Sequence, residues 1–193
     1  VNTNKDIESI KSVNIRSVGI KRQVLMSSAT VEIFESFLKE NIGSEVLVVN
    51  TNIGIGVYYY SKNDYSTFIR ESVLLYTITH IDQKKLKFRN NLNRIDVYQS
   101  FCEALIAFSQ YPQIFLAYAK KFIYLKEKNK TSTFVIPILT GFFEEVLKVL
   151  DETGKIPHYE KIERAKNKLK KSDTDNKVIK ELISEILLKK HYN

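Results

Sequence analysis

Two short stretches set aromatic and cationic side chains at the spacing that binding a single nucleic-acid strand requires. In Ile55-Gly56-Val57-Tyr58-Tyr59-Tyr60 the two-residue period of a strand sends Ile55, Val57 and Tyr59 to one face and Tyr58 and Tyr60 to the other. In Lys84-Lys85-Leu86-Lys87-Phe88-Arg89 the same period assigns Leu86 and Phe88 to the core and Lys85, Lys87 and Arg89 to solvent. Rings beside cations offer bases a stacking surface and phosphates a counter-charge. The candidate nucleic-acid-binding residues are therefore Tyr58, Tyr60, Lys84, Lys85, Lys87, Arg89 and Arg94, joined by Lys120 and Lys121 from a second concentration of cations that runs on to Lys130.

The elements that must position these residues read, over the first ninety, as strand, helix, strand, strand, helix, strand. The first strand is expected at Gln23–Ser28, after a short polar helix over 2–12 and an extended piece over 13–20. A helix follows from Thr30, its expected N-cap, to Asn41, with Gly43 as its stop. Glu45–Asn50 and Ile55–Tyr60 form a hairpin, a helix spans 64–79, and the basic strand is 84–89. That order is the one found in a ferredoxin-like sandwich, in which both candidate strands flank the first. After Arg94 every long segment has the helical period: 95–110, 113–127, 134–150, 158–171 and 176–190. The expected fold is thus α+β, mainly α, with a ferredoxin-like βαββαβ half over 1–92 and a helical bundle over 93–193.

Bulk properties favour a polyanion as partner. The 193 residues carry a net charge of +8, and twelve cations against six acids place +6 of it within 61–130. Lys outnumbers Arg 24 to 6, a bias that an AT-rich coding sequence also produces. Lys161, Arg164, Lys168 and Lys171 line one side of helix 158–171, but Glu160 and Glu163 interleave, which describes a solvated face. The lone Cys102 excludes an intrachain disulfide and points to a reducing, cytoplasmic compartment. The opening residues have no secretory apolar stretch, and a start on Val1 rather than Met is expected of a trimmed or longer product. No stretch reads as a membrane span.

Catalytic and cofactor motifs are not evident. Ser28-Ala29-Thr30 resembles the short motif that follows a strand in superfamily 2 helicases, over three residues only, without a phosphate-binding loop. An RNA recognition motif carries an aromatic on its first strand, where Gln23, Leu25 and Ser27 would stand here. His80, His158 and His191 are too scattered for a metal site. Cys102, on an apolar-leaning helix, reads as a packing residue. The function expected is non-catalytic binding of nucleic acid, preferably single-stranded RNA, by a subunit of a larger assembly with other protein subunits and no membrane. One alternative is a protein–protein scaffold whose basicity is compositional. Another is a metal-dependent nuclease built from acids such as Asp64, Glu71 and Asp96.

Overall fold

A computed structural model describes residues 8–18, 24–77, 86–154 and 156–168. Strands β1 (Ser9–Ser17), β2 (Val46–Thr51), β3 (Gly54–Ser61) and β4 (Leu86–Asn91) make one antiparallel sheet in the order β2-β3-β1-β4. Helix α1 (Ser28–Ile42) joins β1 to β2, and α2 (Ser66–Val73), tightening into a 3-10 turn at Leu74–Tyr76, lies between β3 and β4. Helices α3 (Arg94–Ser109), α4 (Pro112–Lys128) and α5 (Val135–Glu152) follow, then a sixth, α6, described over 159–168. The protein is therefore mixed α+β, with the sheet first and the helices after it. Among the described residues no helix is long and apolar enough to cross a membrane. The expected helix at 176–190 lies outside the described residues, as do Lys84 and Lys85.

The central strand is not where the apolar pattern puts it. β1 runs through 9–17, the region divided above between a polar helix and an extended piece, while Val24–Ser27 is loop. Polar residues at the centre of β1 hide its alternation, and each has a partner. Asn14 Nδ2 donates to Ser100 Oγ on α3 at 3.0 Å, and Ser12 Oγ accepts from Asn91 Nδ2 on β4 at 2.9 Å. Lys11, 5% exposed, turns its ammonium to the carbonyls of Ser61 and Lys62. Leu25 and Met26 are buried without being strand, their loop held by Asn50 Nδ2 donating to the Met26 carbonyl at 2.8 Å. Ser27, not Thr30, caps α1, its Oγ accepting from Thr30 N at 3.1 Å.

The sheet is covered on both faces. Val13, Ile15, Val46, Val48, Ile55, Val57 and Tyr59 pack with Phe34 and Leu38 of α1 and Ile69 and Val73 of α2. On the opposite face Ile10, Leu47, Val49 and Tyr58 join Phe101 of α3, Phe115 and Phe122 of α4, and Phe142 and Phe143 of α5. This second cluster combines residues from either side of position 92. Its seams are closed by polar contacts.

Four hydrogen bonds converge on Glu45, which precedes β2. Its Oε1 accepts from Thr133 N at 2.7 Å, and its Oε2 from Ser132 Oγ at 2.7 Å, Val135 N at 2.9 Å and Phe134 N at 3.1 Å. A carboxylate from the sheet thus satisfies the free N–H groups that open α5. Partial burial pushes the Glu45 pKa up, but the hydrogen bonds from Val135, Thr133, Ser132 and Phe134 outweigh it and hold the carboxyl below its ordinary 4.5.

A lowered folded-state pKa contributes stability above the unfolded value, and that stability is lost as pH falls through the folded value. Glu45→Gln is therefore expected to lower the melting temperature at neutral pH and to flatten the loss of stability below about pH 4.5. By analogy with N-cap deletions the cost near pH 7 is about 0.5–2 kcal/mol. Parallel acid unfolding curves for the two proteins would refute this assignment.

Candidate nucleic-acid interface

The two-residue period assigns Tyr58 and Tyr60 to one face correctly, but that face is not open. Helices α3, α4 and α5 lie on it, so the tyrosines meet protein where bases were expected. Tyr58 is 6% exposed and meets Phe101 edge-on at 6.1 Å. Its hydroxyl pairs with that of Tyr118 on α4, and burial drives both phenols well above their ordinary pKa. The Tyr58 ring also lies across Gly56, where a Cβ would stand 3.0 Å from Cε2. Tyr60, half-buried, stacks on Phe134 at 4.3 Å with the rings 7° from parallel. Burial closes the Tyr58 ring to a base, and Phe134 takes one face of the Tyr60 ring.

The cations divide between opposite edges of the sheet. Lys87 and Arg89 are exposed on β4, on the face that α3 covers, with Lys87 opposite Arg16 of β1. Arg89 is engaged by Glu103 of α3 at 3.1 Å. Arg94, at the start of α3, stands 5.7 Å above the Phe142 ring. Lys120 and Lys121 belong to α4, which packs toward β2, the other edge strand. These groups therefore do not form one continuous patch with the β4 cations.

What the structure brings together instead is a groove between α4 and α6. Ile162 is 1% exposed and, with Ala165, anchors α6 on the bundle. This seat turns Lys161, Arg164 and Lys168 toward Lys120, and the four cations with Ala165 line the groove. The interleaved acids are accommodated elsewhere in part. Glu163 pairs with Lys166 at 3.2 Å, and Lys166 also reaches Glu144 on α5 at 3.3 Å. Glu160 meets Arg164 at 3.4 Å, with both side chains largely in water. Among the described residues no carboxylate pairs with Lys120, Lys161 or Lys168.

On the other flank of α4 one cation, Lys128, is neutralised. Lys128 meets Glu32 of α1 at 2.6 Å, and this bond raises the lysine pKa and lowers that of the glutamate. The α6 cations were visible in the sequence as a stripe, but their convergence on Lys120 depends on how α6 docks, which no local spacing encodes.

The remaining chemistry-bearing residues serve the fold. Asp64 Oδ1 accepts from Ser66 N at 2.8 Å and from the Tyr59 hydroxyl at 3.3 Å. Asp96 is tied to the α3 cap, Asn93, by two hydrogen bonds of 3.0 and 2.7 Å. Glu71 is exposed on α2. Among the described residues no three His, Cys, Asp or Glu side chains gather as metal ligands do. Cys102 is half-buried beside Tyr98; burial pushes its thiol pKa up, against the hydrogen bond from Tyr98.

Burial of Tyr58 has a direct consequence for mutagenesis. Tyr58→Ala is expected to lose about 3–5 kcal/mol of unfolding free energy in urea melts, as aromatic truncation in a core does. Tyr58→Phe, which leaves only the Tyr118 hydroxyl without its partner, should lose about 1–3 kcal/mol. A small and equal loss in both would return the ring to solvent. No family model matches the sequence, and no curated protein matches it.

Proposed function

We propose that this protein binds nucleic acid without catalysis, single-stranded RNA being the favoured class, and that it does so through phosphate contacts in the α4–α6 groove as a subunit of a larger intracellular nucleoprotein assembly. The observation that carries this reading is the convergence of Lys120, Lys161, Arg164 and Lys168 from two helices on one groove, where among the described residues Arg164 alone of the four is paired with a carboxylate. Like charges repel, so a cluster of this kind is tolerated where water screens it or where an anion is to be held. A flexible strand can fold its phosphates around cations grouped on two helices, whereas a duplex offers them at a rigid spacing. Lys87 of β4 and Arg94 of α3 would extend the positive field at a distance.

The strand order β2-β3-β1-β4, with α1 and α2 on one face, supports reading the N-terminal half as a ferredoxin-like sandwich. In that reading the face a recognition sandwich would offer to RNA is given over to packing the bundle. Binding then moves to the bundle's own surface.

Fluorescence anisotropy with a labelled 12-nucleotide oligouridylate, titrated at several salt concentrations, tests the proposal. Each of Lys120→Ala, Lys161→Ala and Lys168→Ala is expected to weaken binding at low salt and to flatten the log K against log salt slope by about 0.7 per lost contact. Unchanged binding and slope in the folded triple variant would remove the groove from the reading. No salt-sensitive binding by the parent would replace the reading with a protein–protein scaffold.

A further inference from the structure

Of the aromatic residues that the strand pattern offers to bases, Tyr58 is in the core and Tyr60 is stacked on Phe134, but the crest of α4 carries a more open ring. Tyr124 is 51% exposed, and the Lys121 ammonium lies 5.9 Å from its ring centroid. Lys120 stands one turn before it on the same side of the helix, at a Cβ spacing of about 5–6 Å for such a pair. Across the crest from Lys120 lie Lys121 and Lys128, the latter held by Glu32. Among the described residues no aromatic ring stacks on Tyr124, which on its α1 side lines a cleft with Lys121, Lys128, Glu32 and Glu35.

We propose that Tyr124 is the stacking residue of this surface: one unpaired base lies on its ring while the flanking phosphates engage Lys120 on the groove side and Lys121 on the other. The inference rests on the nucleic-acid reading above and sharpens it, because it fixes the ligand as a single strand. In a duplex both faces of every internal base are covered by neighbouring bases, so a ring on a helix crest has nothing to stack upon. In a single strand a base is free to turn out onto it. The cation near the ring strengthens the arrangement by attracting the phosphate that the base brings with it.

The experiment uses the full chain, the labelled oligouridylate, a blunt duplex of the same length, and inorganic polyphosphate as a base-free polyanion. Tyr124→Ala is expected to weaken oligouridylate binding by about 5- to 150-fold, the range of one lost base–aromatic stack, with little change in salt slope. Tyr124→Phe should bind as the parent does, since the ring face is retained. Polyphosphate and duplex binding should be unaffected by either change, and melting curves should be alike because the ring is half in water. If Tyr124→Ala binds the oligouridylate as tightly as the parent while Lys120→Ala does not, stacking is overturned and the cationic groove stands. Equal losses for oligouridylate and polyphosphate in Tyr124→Ala would also overturn it, as would a parent that binds neither.

Discussion

The four-stranded sheet is buried on both faces, and most of what can be said about this protein follows from that constraint. A sheet with one solvated face alternates apolar and polar residues along each strand. Here β2 reads Val46-Leu47-Val48-Val49, all buried, because Val46 and Val48 meet α1 and α2 while Leu47 and Val49 meet the helices after β4. Tyr58 and Tyr59, neighbours in sequence, enter opposite cores for the same reason. Each phenol brings a polar tip into an apolar layer, and each tip is answered: Tyr58 by Tyr118, Tyr59 by Asp64 and the amide of Tyr65. The surface presented to solvent is then mainly the outside of the helices, not the faces of the sheet.

How far the sequence reveals this depends on whether the determining interactions are local. The β2–β3 hairpin, α1 and its Gly43 stop were legible because strand alternation, helical period and a residue suited to positive φ each act within a few positions. β1 was not legible, because Ser12 and Asn14 occupy central-strand positions where only distant partners, Asn91 and Ser100, make them tolerable. Leu25 and Met26 looked like strand for the converse reason, since burial alone does not distinguish a loop that packs from a strand that pairs.

The tyrosine face illustrates a more general limit. Periodicity assigns residues to a face and is silent on what lies against it. One signal did point to a cover: α4 is apolar round most of its circumference, more than packing against α3 and α5 alone requires. Phe115, Ala119 and Phe122 are almost wholly buried, which needs a third surface, and the sheet supplies it. The groove was half legible. Lys161, Arg164 and Lys168 stand at helical spacing, but their meeting with Lys120 and the diversion of Glu163 to Lys166 belong to the docking of α6.

Joining the bundle to the sheet poses an electrostatic problem as well as an apolar one. The start of α5 points its free amides at the end of β3, where water is partly excluded and unpaired N–H groups would be costly. Glu45 answers them with both carboxylate oxygens, and beside it the Tyr60 and Phe134 rings close the apolar part of the same junction. The side chain that was a candidate for stacking on a base stacks instead on the residue that opens α5. The geometry of base recognition and the geometry of helix docking are alike, a flat ring over a flat ring. The fold has used Tyr60 for the second, so that one aromatic pair and one carboxylate together fix where the bundle meets the sheet.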